Sequence, residues 1–318
     1  MALLTALPLT AARELGRAYG VELVELLPLS LGSVNSNFRA VAADGRVFFA
    51  RLYEEQGPEG ARGELELLHA LARAGSKVAE PLARTGELPL YAGKPFALFP
   101  WLEGEILCLA RVSADACHRV GSALARVHRA SDGLPRLGRG RFGPTDMLAR
   151  LERVERETSR AELLADVRRA RELYERFVPA RDASLPSGIV HGDLFRDNVL
   201  WQGGEILALL DFESAFHGPF VYDLCVTIAA WCYRDAFDVA AARAMVEGYS
   251  AVRPLTAAER AAVPVEGALG CLRFVTSRIT DFELRAPPGA PPVRDFRRFL
   301  ARLSAITTGA LAPAFAAP

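Results

Sequence analysis

The sequence predicts an α+β fold of two lobes, a small antiparallel β-sheet with one main helix over residues 1–100 and a larger, mainly helical part over 101–318, hinged near 99–104. Three observations predict it. A chain of 318 residues exceeds what one hydrophobic core usually organises. Short apolar runs separated by turn formers fill the residues before the hinge, and helical periodicity takes over from residue 113.

Taken in order, Thr10 is placed to cap a short helix over 11–18 that Gly20 ends, and residues 21–31 read as a strand. The cluster Gly32-Ser-Val-Asn-Ser-Asn37 is a turn, after which Phe38 to Val41, the turn Asp44-Gly45 and a strand over 46–53 complete an antiparallel meander. The cluster lacks the G-x-G-x-x-G pattern, yet its backbone N–H groups and the short side chains of Ser33, Asn35, Ser36 and Asn37 suit the covering of a nucleotide's phosphates. An ordinary hairpin turn is the plainer reading of the same residues. A helix over 58–74 turns Leu65, Leu67, Leu68 and Leu71 inward and carries Glu64. Two further strands are expected over 78–85 and 94–99. The second leaves through Phe99-Pro-Trp-Leu-Glu-Gly104, where Phe99, Trp101 and Leu102 are placed to meet a base. Beyond it come helices over 113–130, 144–177, 220–233 and 236–252. One further helix is expected to carry Arg273, Arg278, Asp281 and Glu283, and a proline-rich link over 287–292 leads to a last helix over 293–306. His128 and Asp223 read as structural, the carboxylate capping N–H groups to brace the loop that follows residue 190.

That loop begins a stretch, HGDLFRDNVLWQGGEILALLDFE, that spans His191 to Glu213. Its opening matches the H-x-D-L-x-x-x-N pattern of phosphoryl-transfer enzymes. Two apolar runs flank Gly203-Gly204, the signature of a tight hairpin, and the pairing this implies brings Asp211 back towards Asn198. An amide oxygen and a carboxylate form a hard, oxygen-only site suited to Mg²⁺, and Asp193, on the preceding loop, is placed to take a proton from an attacking hydroxyl. In the same template a cation on the third strand contacts the phosphates of ATP while an acid on the next helix orients it. Arg51 and Glu64 fill those places. Each residue alone reads more simply as a turn former or a solvated charge; the spacing of the set is what favours function.

Composition narrows the partners. The net charge is zero and the pI near 7.0, which argues against a nucleic-acid or anionic-membrane surface and for a small-molecule substrate. The N-terminus lacks a signal-peptide pattern, and no apolar run reaches the roughly 18 residues that span a bilayer, so a cytoplasmic protein is expected. The 5 cysteines are scattered and without C-x-x-C spacing, which suggests neither a disulfide framework nor a zinc site. Lysine occurs only at Lys77 and Lys94, so an arginine at position 51 is the cation this chain would use.

With these residues assembled, the chain resembles the aminoglycoside phosphotransferase and choline kinase superfamily, which shares the protein-kinase fold. The segments GSVNSNF at 32–38, HGDLFRDNVLW at 191–201, YDLCVTIAAWCY at 222–233, YSAVRPLTAAE at 249–259, RFVTSRI at 273–279 and RDFRRFLARL at 294–303 resemble its type II homoserine kinase branch. The resemblance implies transfer of the ATP γ-phosphate to the side-chain hydroxyl of L-homoserine. It makes Asp193 the base, Asn198 and Asp211 the Mg²⁺ ligands, and Arg51 with Glu64 the phosphate-orienting pair. The chain departs from the branch at Gly192, where alanine is common, at Glu213, where tyrosine is, and at Ala229 or Ala230, where asparagine is. A zwitterionic acceptor needs a cation and an anion, for which Arg273 or Arg278 with Asp281 or Glu213 are the candidates. A polycationic aminoglycoside would favour an acidic C-terminal part instead, whereas residues 251–318 hold nine arginines against five acids. Another amino alcohol, an aminoglycoside, and a catalytically silent nucleotide-binding regulator remain the alternatives.

Overall fold

The computed structural model describes residues 5–30, 34–134, 137, 140, 142–285 and 294–316. The described residues are mixed α and β and form two compact units. One comprises Met1–Glu105, Leu200–Gln202 and Leu207–Glu213, and the other Ile106–Val199, Gly203–Ile206 and Ser214–Pro318.

The first unit opens with α1 (Leu9–Arg17), followed by β1 (Leu23–Pro28), β2 (Ser36–Ala42), β3 (Val47–Leu52), α2 (Pro58–Arg73), β4 (Leu90–Tyr91) and β5 (Lys94–Pro100). The strands form one sheet in the order β1-β2-β3-β5-β4, with the pairs β1/β2, β2/β3, β3/β5 and β4/β5 antiparallel. The register sets Asn37 opposite Arg51 and Arg51 opposite Ala97; the neighbouring row is Arg39, Phe49 and Phe99. Side chains alternate along a strand, so these rows share one face. Phe38, Ala40, Ala50, Leu52, Phe96 and Leu98 face the other way, into a core shared with Ala12 and Leu15 of α1. On α2, Leu65, Leu67, Leu68 and Leu71 are buried as their spacing predicts, and Glu64 is buried with them.

Two expectations for this unit fail. Pro8 occupies the N-cap of α1, so Thr10 lies inside the helix and caps nothing. No strand forms over 78–85: Val78 makes a single parallel bridge to Leu209, and Pro81, with no N–H to donate, interrupts any ladder beyond it. Beyond it Leu82 donates to the Leu98 carbonyl at 2.8 Å and Thr85 to the Ala18 carbonyl at 2.8 Å, single bonds that build no strand.

β6 (Glu105–Ile106) leads to α3 (Ala114–Ala130), α4 (Pro144–Glu157) and α5 (Ala161–Phe177). The helical region expected over 144–177 is thus two helices, parted where the Thr158 hydroxyl accepts from the Arg160 N–H and offers the backbone an alternative to helix. β7 (Ser187–Val190) pairs antiparallel with β10 (Phe216–Pro219). Between them lie β8 (Val199–Gln202) and β9 (Glu205–Leu209), which with β6 form a three-stranded sheet. Gly203 and Gly204 both have positive φ, +58° and +82°, the left-handed pair that a two-residue hairpin requires.

α6 (Phe220–Trp231) is buried on every side. α7 (Val239–Val252) crosses α3 backbone to backbone. A Cβ on Gly121 would meet the Met245 carbonyl oxygen at 2.1 Å, and one on Gly248 the His118 oxygen at 2.0 Å. α8 (Ala257–Arg278) starts in a capping box of Thr256 and Glu259 and runs into a π-helical turn, Ile279–Glu283. Arg273 and Arg278 therefore lie on α8, while Asp281 and Glu283, expected on the same helix, lie on the wider turn. α9 (Arg297–Thr307) closes the order. The proline-rich link and Arg136, Arg139 and Arg141 lie outside the described residues. No helix among the described residues is long and apolar enough to cross a membrane.

Candidate active site

In the first unit the third strand, the first long helix and the end of the hairpin meet at one guanidinium. Arg51 Nη1 lies 3.3 Å from Asp211 Oδ1 and 3.6 Å from Glu64 Oε1. The rings of Phe49 and Tyr53, one on each side of it in sequence, each lie 5.8 Å from its Cζ. Its side chain is 12 % exposed and that of Asp211 32 %, so the arginine is held inside while the aspartate reaches solvent. Burial opposes the charge on Arg51, but Asp211, Tyr53 and Glu64 more than offset it and the guanidinium stays protonated. Burial pushes the Glu64 carboxyl up to about 8; Arg51 works against that shift, and Asp211 and Glu213 reinforce it. Gln56 steadies the pair by donating to Glu64 Oε2 at 3.2 Å and to the Glu213 carbonyl at 3.4 Å. Asp211 itself adopts φ +63°, a left-handed conformation uncommon outside glycine and tolerated best by short polar residues.

The residues of the 32–37 cluster divide. Ser33 lies outside the described residues. Asn35 donates through Nδ2 to Glu213 Oε2 at 2.8 Å and accepts from the Glu54 N–H at 3.1 Å. Ser36 and Asn37 are the first residues of β2 rather than part of a turn. Ser36 is fully buried, and its hydroxyl donates to Glu54, which also takes the Lys94 ammonium. Glu213, read from sequence as an acceptor contact, is the partner of Asn35. Phe99, next to last in β5, lies beside Phe49, ring centroids 6.2 Å apart, and Trp101 donates its backbone N–H to the Val47 carbonyl. The Trp101 ring lies beneath the Arg39 guanidinium, and Leu102 follows, half-buried.

In the second unit the loop after β7 is held by its backbone. Asp223, near the start of α6, accepts from the His191 N–H at 2.7 Å and the Gly192 N–H at 2.8 Å, and its Oδ2 lies 3.0 Å from His128 Nε2. Burial drives the His128 pKa down, which keeps the ring neutral. Burial acts against the Asp223 charge, but the His128 hydrogen bond and the loop amide outweigh it and the carboxyl stays below its ordinary range. Gly192 has φ +75°, and a Cβ there would sit 3.0 Å from the Ser214 carbonyl oxygen. The bracing expected of Asp223 is thus present, with His128 as its buried partner.

Beyond this anchor, His191 Nδ1 accepts from the Asp193 N–H at 3.2 Å, and Asn198 donates through Nδ2 to the Asp193 carbonyl at 2.8 Å. Trp231 donates to the Leu194 carbonyl. The Asp193 side chain is 33 % exposed, and its Oδ1 accepts from Arg273 Nη1 at 3.2 Å. Arg273, 6 % exposed, also donates through Nη2 to Ser214 Oγ at 3.1 Å and lies against Phe142 and Phe274, at 4.3 and 4.0 Å from the ring centres. Arg278 stands five residues on, about 140° round the helix. It donates to the Asp295 carbonyl and stacks on Phe299, away from Asp193. Asp281 accepts from Thr280 and lies 3.8 Å from Arg150. Sequence reasoning overlooked Gln56, Phe142 and Ser214. Phe142, the one aromatic residue in an otherwise glycine- and arginine-rich loop, was the available signal for its own role.

Each unit holds one candidate oxygen donor for a magnesium ion that arrives with a nucleotide: in the first, Asp211 offers a carboxylate one-third exposed, and in the second, Asn198, whose amide nitrogen is spent on Asp193, has an amide oxygen able to accept. Among the described residues no three His, Cys, Asp or Glu side chains gather as a self-sufficient metal site. A metal that takes few protein ligands and completes its shell with water and phosphate oxygens needs none.

This loop-and-hairpin chemistry defines a class: residues 25–255 match the phosphotransferase enzyme family, and the chain belongs to it. Within that class it is similar to the curated homoserine kinase of Neisseria meningitidis serogroup B, 34 % identical over 82 % of this chain and 85 % of that one. It is 36 % identical to the homoserine kinase of Phenylobacterium zucineum, over 81 % of this chain and 80 % of the relative. Among solved structures, an amicoumacin kinase in complex with AMP-PNP, Ca²⁺ and Ami superposes with a TM-score of 0.67 over 89 % of this chain and 87 % of that one. At 17 % identity that likeness concerns the fold, which is of the protein-kinase-like type.

Proposed function

We propose that the protein is an ATP-dependent homoserine kinase, transferring the γ-phosphate of ATP to the side-chain hydroxyl of L-homoserine in the cytoplasm as a step of threonine biosynthesis. The observation that carries the acceptor is the likeness to curated homoserine kinases along four-fifths of both chains. Residues 1–100 serve as the nucleotide-binding lobe and 101–318 as the catalytic and acceptor-binding lobe. Asp193 takes the proton from the acceptor hydroxyl as its oxygen bonds to the γ-phosphorus and the bond to the ADP oxygen breaks. Arg51, oriented by Glu64 as its pair, contacts the phosphates. Asn35, Asn37 and the backbone of the 32–37 turn, with Ser33 and Ser36, cover them, while Phe99, Trp101 and Leu102 receive the base. Asn198 and Asp211 hold Mg²⁺, which neutralises charge on the phosphates when bound. Asp281 is the anion for the acceptor's ammonium, and Glu213 acts through Asn35 on the phosphate loop.

An aminoglycoside acceptor is disfavoured by the excess of arginine over acid in residues 251–318. The test is a coupled ATP-consumption assay with L-homoserine, L-threonine, choline and kanamycin. L-Homoserine is expected to turn over and Asp193→Asn to lose that turnover by a factor of roughly 100 or more. Turnover with choline or kanamycin and none with L-homoserine would overturn the acceptor assignment and leave the Asp193 chemistry standing.

A further inference from the structure

The sequence places Arg273 among residues that meet the acceptor, but its surroundings give it other work. Both terminal nitrogens are engaged, Nη1 with Asp193 Oδ1 at 3.2 Å and Nη2 with Ser214 Oγ at 3.1 Å. Phe142 and Phe274 lie against the guanidinium with ring centres within 4.3 Å. Recruiting it to a substrate carboxylate would break both hydrogen bonds and pull a desolvated cation from its aromatic contacts.

A carboxylate cannot hold its own plane. The last torsion of an aspartate is broad and roughly two-fold, so the angle at which Asp193 meets a hydroxyl has to be imposed from outside. The bonds that Asp223, His191 and Asn198 make to the loop go to its main-chain groups and fix the backbone that carries the carboxylate. We infer that Arg273 is the positioning residue that sets that torsion: a clamped guanidinium anchored on Ser214 that orients Asp193 and does not bind the acceptor. The low dielectric of its setting strengthens the pair beyond what an exposed ion pair supplies.

The inference rests on Asp193 as the base, and is independent of which acceptor is used. Steady-state kinetics are measured for Arg273→Ala, Arg273→Lys and Ser214→Ala, beside Asp193→Asn and with thermal unfolding recorded for each. Arg273→Ala is expected to lower kcat roughly 100-fold, the scale of a misplaced catalytic group. The acceptor KM should stay within about threefold, because the lost interaction belongs to the transition state. Arg273→Lys should recover part of kcat, and guanidine hydrochloride below its denaturing range should recover about tenfold in the alanine variant, since a free guanidinium replaces the missing group. Ser214→Ala should lower kcat several-fold at unchanged KM. A KM that rises at constant kcat would overturn the inference in favour of acceptor binding. Loss of activity that tracks loss of stability, without rescue by lysine or guanidine, would reduce Arg273 to a structural residue. Full turnover in Asp193→Asn would instead remove the reading on which the inference stands.

Discussion

Arg51 faces Glu64 and Asp211 with one guanidinium, and Glu213 adds its charge to theirs. Burial pushes the Glu64 carboxyl up to about 8, with Arg51 opposing and Asp211 and Glu213 adding to the shift, which gives Glu64 a signature in solution. A carboxyl raised in the folded state contributes stability that is complete below its ordinary value near 4.5 and is lost as pH rises through about 8. Glu64→Gln removes that titration. In thermal unfolding without nucleotide, the wild type should lose ground to the variant between those two pH values; parallel curves would show Glu64 ionised throughout. Asp223 behaves in the opposite sense. It is buried, charged and shared by two backbone amides and His128, so Asp223→Ala leaves all three without an acceptor. The expected cost is about 3–5 kcal/mol, read by denaturant unfolding.

At the scale of elements, the crossing of α3 and α7 depends on two glycines that fill no turn. Gly121 and Gly248 each face a carbonyl of the opposite helix at a distance no Cβ can share. The Ser122 hydroxyl donates to the Gly248 carbonyl at 2.8 Å in the same crossing. Gly121→Ala is expected to cost about 3 kcal/mol or to prevent folding, since the obstacle is backbone and cannot rotate aside. Chemical denaturation settles it, and a change under 1 kcal/mol would mean the helices slide apart freely. The crossing carries His128 on α3 and Tyr249 on α7, joined at 2.7 Å, and through His128 it reaches Asp223 and the loop after β7. The β8–β9 hairpin shows the opposite economy. Gly203 and Gly204 meet open space, and only their positive φ is needed.

For the whole molecule, a nucleotide that binds only the folded state should raise the unfolding temperature, by an amount equivalent to about 2.7 kcal/mol at a hundred times its Kd. Mg-ATP is expected to do so in the wild type, chelation of the metal with EDTA to weaken it and abolish turnover, and Arg51→Met to remove most of it. Much of this was legible in the chain. The loop that carries Asp193 and Asn198 and the two-residue hairpin that leads to Asp211 are both local features, and the meeting of Arg51 with Glu64 follows from the alternation of β3 and the helical period of α2. The pairing of Arg273 with Asp193 was not, because 80 residues separate them and α8 offers two arginines whose faces are chosen by packing against Phe142 and Phe299. Ser36, expected in a turn, opens β2 instead for a similar reason. Its inward turn depends on Glu54 and Lys94, which only the folded sheet brings to it.

Arg51, the cation proposed to contact the phosphates, is a guanidinium, and Lys94, one of the chain's two lysines, is paired with Glu54. Reagents that report nucleotide sites by acylating a lysine, such as acyl-phosphate derivatives of ATP, have no amine to attack at position 51. Labelling of that kind would leave no adduct at position 51, and arginine-selective dicarbonyls would be the chemistry that marks it.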